Sequence, residues 1–375
     1  MQLNTDIKEA WWLEQMLDRA NMATSYKAYW MMSIIDIITE EERSEISFDE
    51  VVNRMIKHAW YPVVTYKLSF GVQDRLSHLV NYLFLKYPRM SELKSHELLD
   101  FLSNGQLSSD KYFVKKRKEL HQMVPYRLLS PFFKTQTKGL KDQKKNQLIV
   151  ELAQEDYISM YTINQEYKTI HIRRNWMDYI IDNQALVKGW IKYKLALYLQ
   201  ARNPNVPNIM SKLEVPGSRN LGDAKKFWRL VIERKSVKDI YTGLELDSQN
   251  FSEYGSLSID HFIPWSYVTH DEFWNLCPTF RNVNSSKSDG LPDLDRYMSG
   301  FCDIHHLAIN ELKELGKNKI LEDYYTLGHD EMMTLLSGDD VVSKEVVTSV
   351  LSQSIKPIHQ IALNQGFGIW SNYNL

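Results

Sequence analysis

The stretch SIDHFIPWSYVTHDEFWNLCPTFRNVNSSKSDGLP, residues 258–292, sets Asp260 and His261 side by side, then Asn275, then Asn284 and Lys287. These residue types suit metal-assisted phosphodiester cleavage. Asp260 offers a hard carboxylate oxygen and Asn284 a neutral amide oxygen. That pair is poor for zinc and good for magnesium, which keeps waters and a substrate phosphate as its other ligands. Such an ion would stabilise charge on the pentavalent phosphorus and the departing 3′ oxygen. An imidazole titrates near ~6.5 when unperturbed, so His261 is suited to accept a proton from water at neutral pH. Asn275 is expected to hold the loop or the imidazole in position, and Lys287 to meet a phosphate oxygen.

These residues are too far apart in sequence to share one helical face, so tertiary structure must gather them. Residues 256–260 read as a strand, residues 274–278 as a second, and the segment from Thr279 through about Ser288 as a loop running into a helix. Two antiparallel strands with one helix across them would bring Asp260, His261, Asn275 and Asn284 to one side. His270 and Asp271, between the strands, read as a helix N-cap or loop. His305 and His306 read as structural or exposed, and Cys277 as packing.

IDHFIPWS followed by WNL and NSSKSD resembles the HNH, or ββα-metal, endonuclease family in its His-Asn-Asn form. The spacing is also similar to that of the HNH module of RNA-guided CRISPR effectors. The resemblance implies that His261 is the general base, that Asp260 and Asn284 bind the metal, and that Asn275 supports the loop. Upstream, IYTGLEL (240–246) is similar to the segment that opens many such modules. Many members carry two Cys pairs around a structural zinc. Here the opening segment has no Cys and Cys277 stands alone, so no structural zinc is expected, and Asn at the third position favours Mg2+ or Mn2+.

Composition leaves room for far more than this module. At 375 residues and 43% hydrophobic, the chain can fill real cores. Its 45 basic and 47 acidic side chains nearly balance, so any case for nucleic acid must be local. Two cysteines cannot build a disulfide framework, which points to a reducing, cytoplasmic setting. The start lacks a basic segment followed by an apolar one, and the apolar runs fall short of the ~20 residues that span a bilayer, so no membrane is expected.

Tyr26, Tyr29, Trp30, Ile34, Ile37 and Ile38 recur at steps of three and four, which predicts a helix with a wide buried stripe. A second helix from Phe48 is expected to stop at Trp60, before Pro62. The lysine-rich stretch 132–147 reads as a loop or linker, with helices resuming from about Ile149 and again from about Asp295. The expected fold class is α+β: a mostly helical protein with an inserted ββα-metal module. The expected domains are 1–135, 148–235, 236–294 and 295–375.

Between Lys168 and Asp239, fifteen Lys or Arg stand against six Asp or Glu. Such an excess suits phosphate contact, with binding that falls as salt rises. Arg219, Lys225, Lys226, Arg229, Arg234 and Lys235 are the candidate nucleic-acid contacts. The expected function is a metal-dependent endonuclease acting on DNA in a bacterial phage-defence or mobile-element setting, controlled by a protein partner or trigger. RNA is the alternative substrate, as for a toxin, because water can attack either backbone. A catalytically silent nucleic-acid-binding scaffold is a third reading, and the intact Asp260, His261 and Asn284 argue against it.

Overall fold

The computed structural model describes residues 3–4, 6–18, 22, 24–338, 340–371 and 373. Helices dominate and the sheets are small, so the fold is α+β and mostly helical. The chain forms two compact units: Met1–Pro204 with Ile209–Pro216, and Asn205–Asn208 with Gly217–Leu375. Among the described residues, no helix is long and apolar enough to cross a membrane.

In the first unit, helix α1 (Tyr26–Glu41) buries every residue from Ala28 to Ile38. The expected stripe is therefore a helix enclosed on all sides, as its near-continuous apolar run allows. Its one buried acid, Asp36, is met by His58 Nε2 and by Lys188 Nζ, each at 2.8 Å. Strand β1 (Glu45–Ser47) leads into α2 (Phe48–Val64), whose start is fixed by a capping box between Ser47 and Glu50. The helix continues through Pro62 to Val64, beyond the expected stop, since a proline near the end removes only one helical hydrogen bond.

Further along lie α3 (Lys111–His121), α4 (Val124–Leu129) and α5 (Asp142–Glu155). The stretch expected as a loop is turn as far as Gly139 and becomes α5 at Asp142. A hairpin of β2 (Tyr161–Asn164) and β3 (Thr169–Ile172) follows, where helix was expected. It pairs antiparallel with β1 in the order β1-β3-β2, with Ile46 opposite Ile170. Alternating burial of Tyr161, Ile163, Ile170 and Ile172 is the strand period.

The second unit opens with α6 (Gly222–Arg234) and centres on strands β4 (Leu257–His261) and β5 (Leu276–Phe280). These pair antiparallel, with Asp260 opposite Cys277 and His261 opposite Leu276. Helix α7 (Arg281–Lys287) starts directly after β5, with no intervening loop. Helices α8 (Leu294–Glu314) and α9 (Lys344–Asn364) complete the unit. One hydrophobic core runs through it, from Ala224 and Trp228 on α6, through Ile259, Phe280 and Val283, to Phe301 and Leu351. Gly290 has no room for a side chain: a Cβ there would lie 2.7 Å from Trp370 Cβ.

Candidate active site

β4 ends on Asp260 and His261, one residue later than the sequence suggests, and both are buried. The chain then turns through Phe262 and Ile263. Asn275, fully buried just before β5, holds that turn at both polar groups of one residue. Its Oδ1 accepts from Ile263 N at 2.8 Å, and its Nδ2 donates to Ile263 O at 2.9 Å. Phe262 N also donates to Asn275 O at 2.8 Å. Asn275 is therefore hydrogen-bonded to the loop and, among the described residues, not to the imidazole.

α7 packs across the two strands and brings in Asn284 and Lys287. Asn284 Nδ2 donates to Ser258 Oγ at 2.7 Å and to Ile259 O at 3.2 Å. Its amide oxygen has no hydrogen bond among the described residues. Asp260, His261, Asn284, Trp265 and Arg219 line one pocket of about 300 Å³. Asp260 and His261 bring oxygen and nitrogen donors to the end of the strand pair, and Asn284 brings its amide from the face of a helix.

Lys287 was expected to meet a phosphate oxygen. Instead it is buried, with Nζ 2.9 Å and 3.2 Å from the two oxygens of Asp260 and 2.8 Å from His261 O. The reason is local: a buried carboxylate needs a counter-charge, and the last turn of α7 places the ammonium beside it. Tyr241 O–H donates to Asp260 Oδ2 at 2.5 Å. Burial, and then the Asp260 charge, pushes the Tyr241 phenol well above its ordinary range, so it stays a donor.

IYTGLEL is the device that delivers Tyr241. Asp239 accepts from Thr242 N at 2.9 Å and from Thr242 Oγ1 at 2.7 Å, and Gly243 closes the turn at φ +76. Sequence reasoning noted this segment without assigning Tyr241 a role.

Asp271 is the second residue that it missed. Asp271 Oδ1 lies 2.9 Å from His261 Nε2, and Oδ2 accepts from Asn220 N at 2.6 Å. Burial raises the Asp271 carboxyl, but the hydrogen bonds from His261 and the Asn220 amide outweigh it and hold the group below the usual carboxylate range. Read in sequence as a cap or loop residue, Asp271 carried no signal beyond standing between the two strands. Only the fold folds that loop back onto the imidazole.

The six basic candidates separate. Arg219 lines the pocket, its guanidinium carbon 5.6 Å from the centre of the Trp265 ring. On α6, Lys226 and Arg229 are exposed and Lys225 is half-buried. Arg234 and Lys235 answer a buried acid on α8: Arg234 lies 3.4 Å and Lys235 3.2 Å from Glu311, and Arg234 also reaches Glu314 at 2.6 Å. These two are exposed and lie within ion-pair distance of Glu311, because a buried carboxylate draws in the nearest cations.

The donor set fits a divalent cation. Asp260 and Asn284 both line a polar pocket, and a carboxylate with an amide oxygen is the kind of hard-ligand pair that magnesium and manganese accept. Among the described residues, no three of His, Cys, Asp and Glu gather as a metal cluster. Cys277 is buried beside Tyr241, 3.7 Å from its oxygen, and burial pushes its thiol well above the ordinary range.

Comparison with known proteins agrees with this geometry. Residues 239–293 match the family described as HNH endonuclease. A segment is 41% identical over 58 residues to the CRISPR-associated endonuclease Cas9 of Listeria innocua serovar 6a. That match covers 16% of this chain and 4% of the relative. No solved structure matches the chain. Residues 239–293 are thus an HNH-type endonuclease domain, set in a unit whose other helices share its core.

Proposed function

We propose that the endonuclease domain at residues 239–293 hydrolyses phosphodiester bonds in DNA with one divalent cation, Mg2+ or Mn2+. The observation that carries this reading is the meeting of Asp260, His261 and Asn284 at one pocket, with His261 Nε2 anchored on Asp271. With its proton on Nε2 and directed at Asp271, the imidazole keeps Nδ1 as the nitrogen that accepts a proton from water. Asp260 and the Asn284 amide oxygen would hold the cation, and Tyr241 and Lys287 keep the Asp260 carboxylate in place. When bound, the cation supplies charge stabilisation to the phosphate and the leaving oxygen. Asn275 acts through the turn that positions His261. Arg219, beside Trp265 at the pocket, is placed to receive a phosphate, with Lys225, Lys226 and Arg229 as candidate backbone contacts.

The setting we propose is bacterial phage defence or a mobile element, in the cytoplasm, with a partner or trigger restraining the nuclease. The CRISPR-associated relative supports that setting. The test is cleavage of supercoiled plasmid, linear duplex, single-stranded DNA and RNA with Mg2+, Mn2+ or EDTA, comparing wild type with His261→Ala. Metal-dependent cutting of DNA that is lost in the variant is the expected outcome. Cutting of RNA alone would overturn the DNA assignment, and cutting that persists in EDTA would overturn the cation.

A further inference from the structure

The first unit holds a pocket of about 490 Å³ that no nuclease chemistry explains. Small-molecule sites run about 300–1,000 Å³, so its size suits a compact organic ligand. Three cations line it, Lys27 from α1, Arg127 from α4 and Arg75, against one acid, Glu119. Glu119 is already engaged by Lys116 at 3.0 Å and faces Arg75 at 3.6 Å. Arg127 pairs with Asp142, an exposed residue at the start of α5.

Lys27 is different. It is half-buried and makes no hydrogen bond or ion pair among the described residues. Burial, then Arg127 and Lys145 nearby, pulls its ammonium down to about 8. A half-buried cation beside two more cations is an unfavourable arrangement in the absence of an anion. The rest of the lining is Tyr26 with Leu120, Met123 and Val124, which supply apolar and aromatic surface, and the polar Thr24, Gln73 and Ser130. Guanidinium and ammonium groups sharing one pocket with aromatic and apolar side chains match a phosphate joined to a flat or apolar group.

We propose that this pocket binds a small organic phosphate, either a free nucleotide or the 5′-phosphate end of a nucleic-acid strand. Lys27, Arg127 and Arg75 take the phosphate, and Tyr26 with Leu120, Met123 and Val124 takes the organic part. This assignment stands apart from the nuclease reading, because none of these residues belongs to the second unit.

The test is calorimetric titration of the full chain in EDTA with inorganic phosphate, ADP, and a short thymidine oligonucleotide carrying either a 5′-phosphate or a 5′-hydroxyl. Binding of a phosphate-bearing probe with Kd below about 1 mM is expected. Preference for ADP would identify a free nucleotide as the source. Preference for the 5′-phosphorylated strand over its hydroxyl twin would identify a strand end.

Lys27→Met should weaken that binding at least tenfold. It should also leave the melting temperature of the ligand-free protein unchanged or higher, because it removes an uncompensated charge. Arg75→Met, at a more exposed position, should weaken binding without affecting the fold. Failure of every probe to bind, or unchanged binding in both variants, would overturn the proposal.

Discussion

At the scale of the residue, the site is a set of groups each held by a second group. His261 is held by Asp271, and Asp260 by Tyr241 and Lys287. Asp271→Asn keeps the shape and removes the charge. It should lower kcat/KM by about 10–100-fold, a part of the ~10²–10⁴ that a positioned base contributes. The Asp271 carboxyl sits below its usual range, so it stays ionised through mildly acidic pH. The acid limb of the kcat/KM profile should therefore move to lower pH in the variant, a change that a purely structural role would not produce.

Lys287→Met leaves a buried carboxylate without its cation. In the metal-free protein this should cost about 3–5 kcal/mol, read as a fall in the denaturation midpoint. Adding Mn2+ should recover more stability in this variant than in wild type, because the cation then meets no competing ammonium. An equal response to Mn2+ in both proteins would mean that the ammonium and the cation do not share the carboxylate.

At the scale of the element, β4, β5 and α7 form a frame in which the candidate site residues occupy ends and faces. Leu257, Ile259, Leu276 and Phe280 bury the strands and Val283 buries α7 against them. Asn275 ties the exit of β4 to the entry of β5 through Ile263. Asn275→Ala would leave the Ile263 N–H and C=O buried without partners, at a cost of about 2–4 kcal/mol. The midpoint of urea denaturation measures it, and cleavage activity should fall with it, since the freed turn carries His261. Much of this frame was legible: the two short strands were expected within two residues of where they lie, and a helix was expected before about Ser288, though after a loop that is absent between Phe280 and Arg281. The exception was the hairpin β2–β3, whose polar turn NQEYK separates strands too short for their alternation to stand out in a helical background.

At the scale of the whole molecule, the second unit has one core that joins the endonuclease domain to α6, α8 and α9. His305 lies inside it, fully buried, with Nδ1 2.6 Å from the Tyr324 hydroxyl. Burial pulls its pKa from 6.5 down to about 3. The folded state therefore keeps it neutral while the unfolded chain binds a proton below 6.5, so stability falls as pH drops from 6.5 towards 3. The slope from this one group reaches about 1.4 kcal/mol per pH unit. His305→Phe should flatten that decline, seen by comparing urea midpoints of the two proteins at pH 7.5, 6 and 5. A parallel decline in both would show that His305 has no part in it.

The amino-acid sequence by itself determined which donor groups Asp260, His261 and Asn284 offer, because residue type and order specify which donors exist and which strand and helix carry them. It determined too that the protein is mostly helical, since apolar residues at steps of three and four need no tertiary partner to be read. Only the tertiary structure decided that Asp271 meets His261, that Tyr241 and Lys287 close on Asp260, and that Arg234 and Lys235 turn to Glu311. Each of those contacts depends on where a loop or helix end comes to rest, and that is set by the packing of the whole unit. The same holds for Lys27, Arg75 and Arg127: they are scattered along the chain as ordinary surface cations, and they became one pocket when the first unit packed.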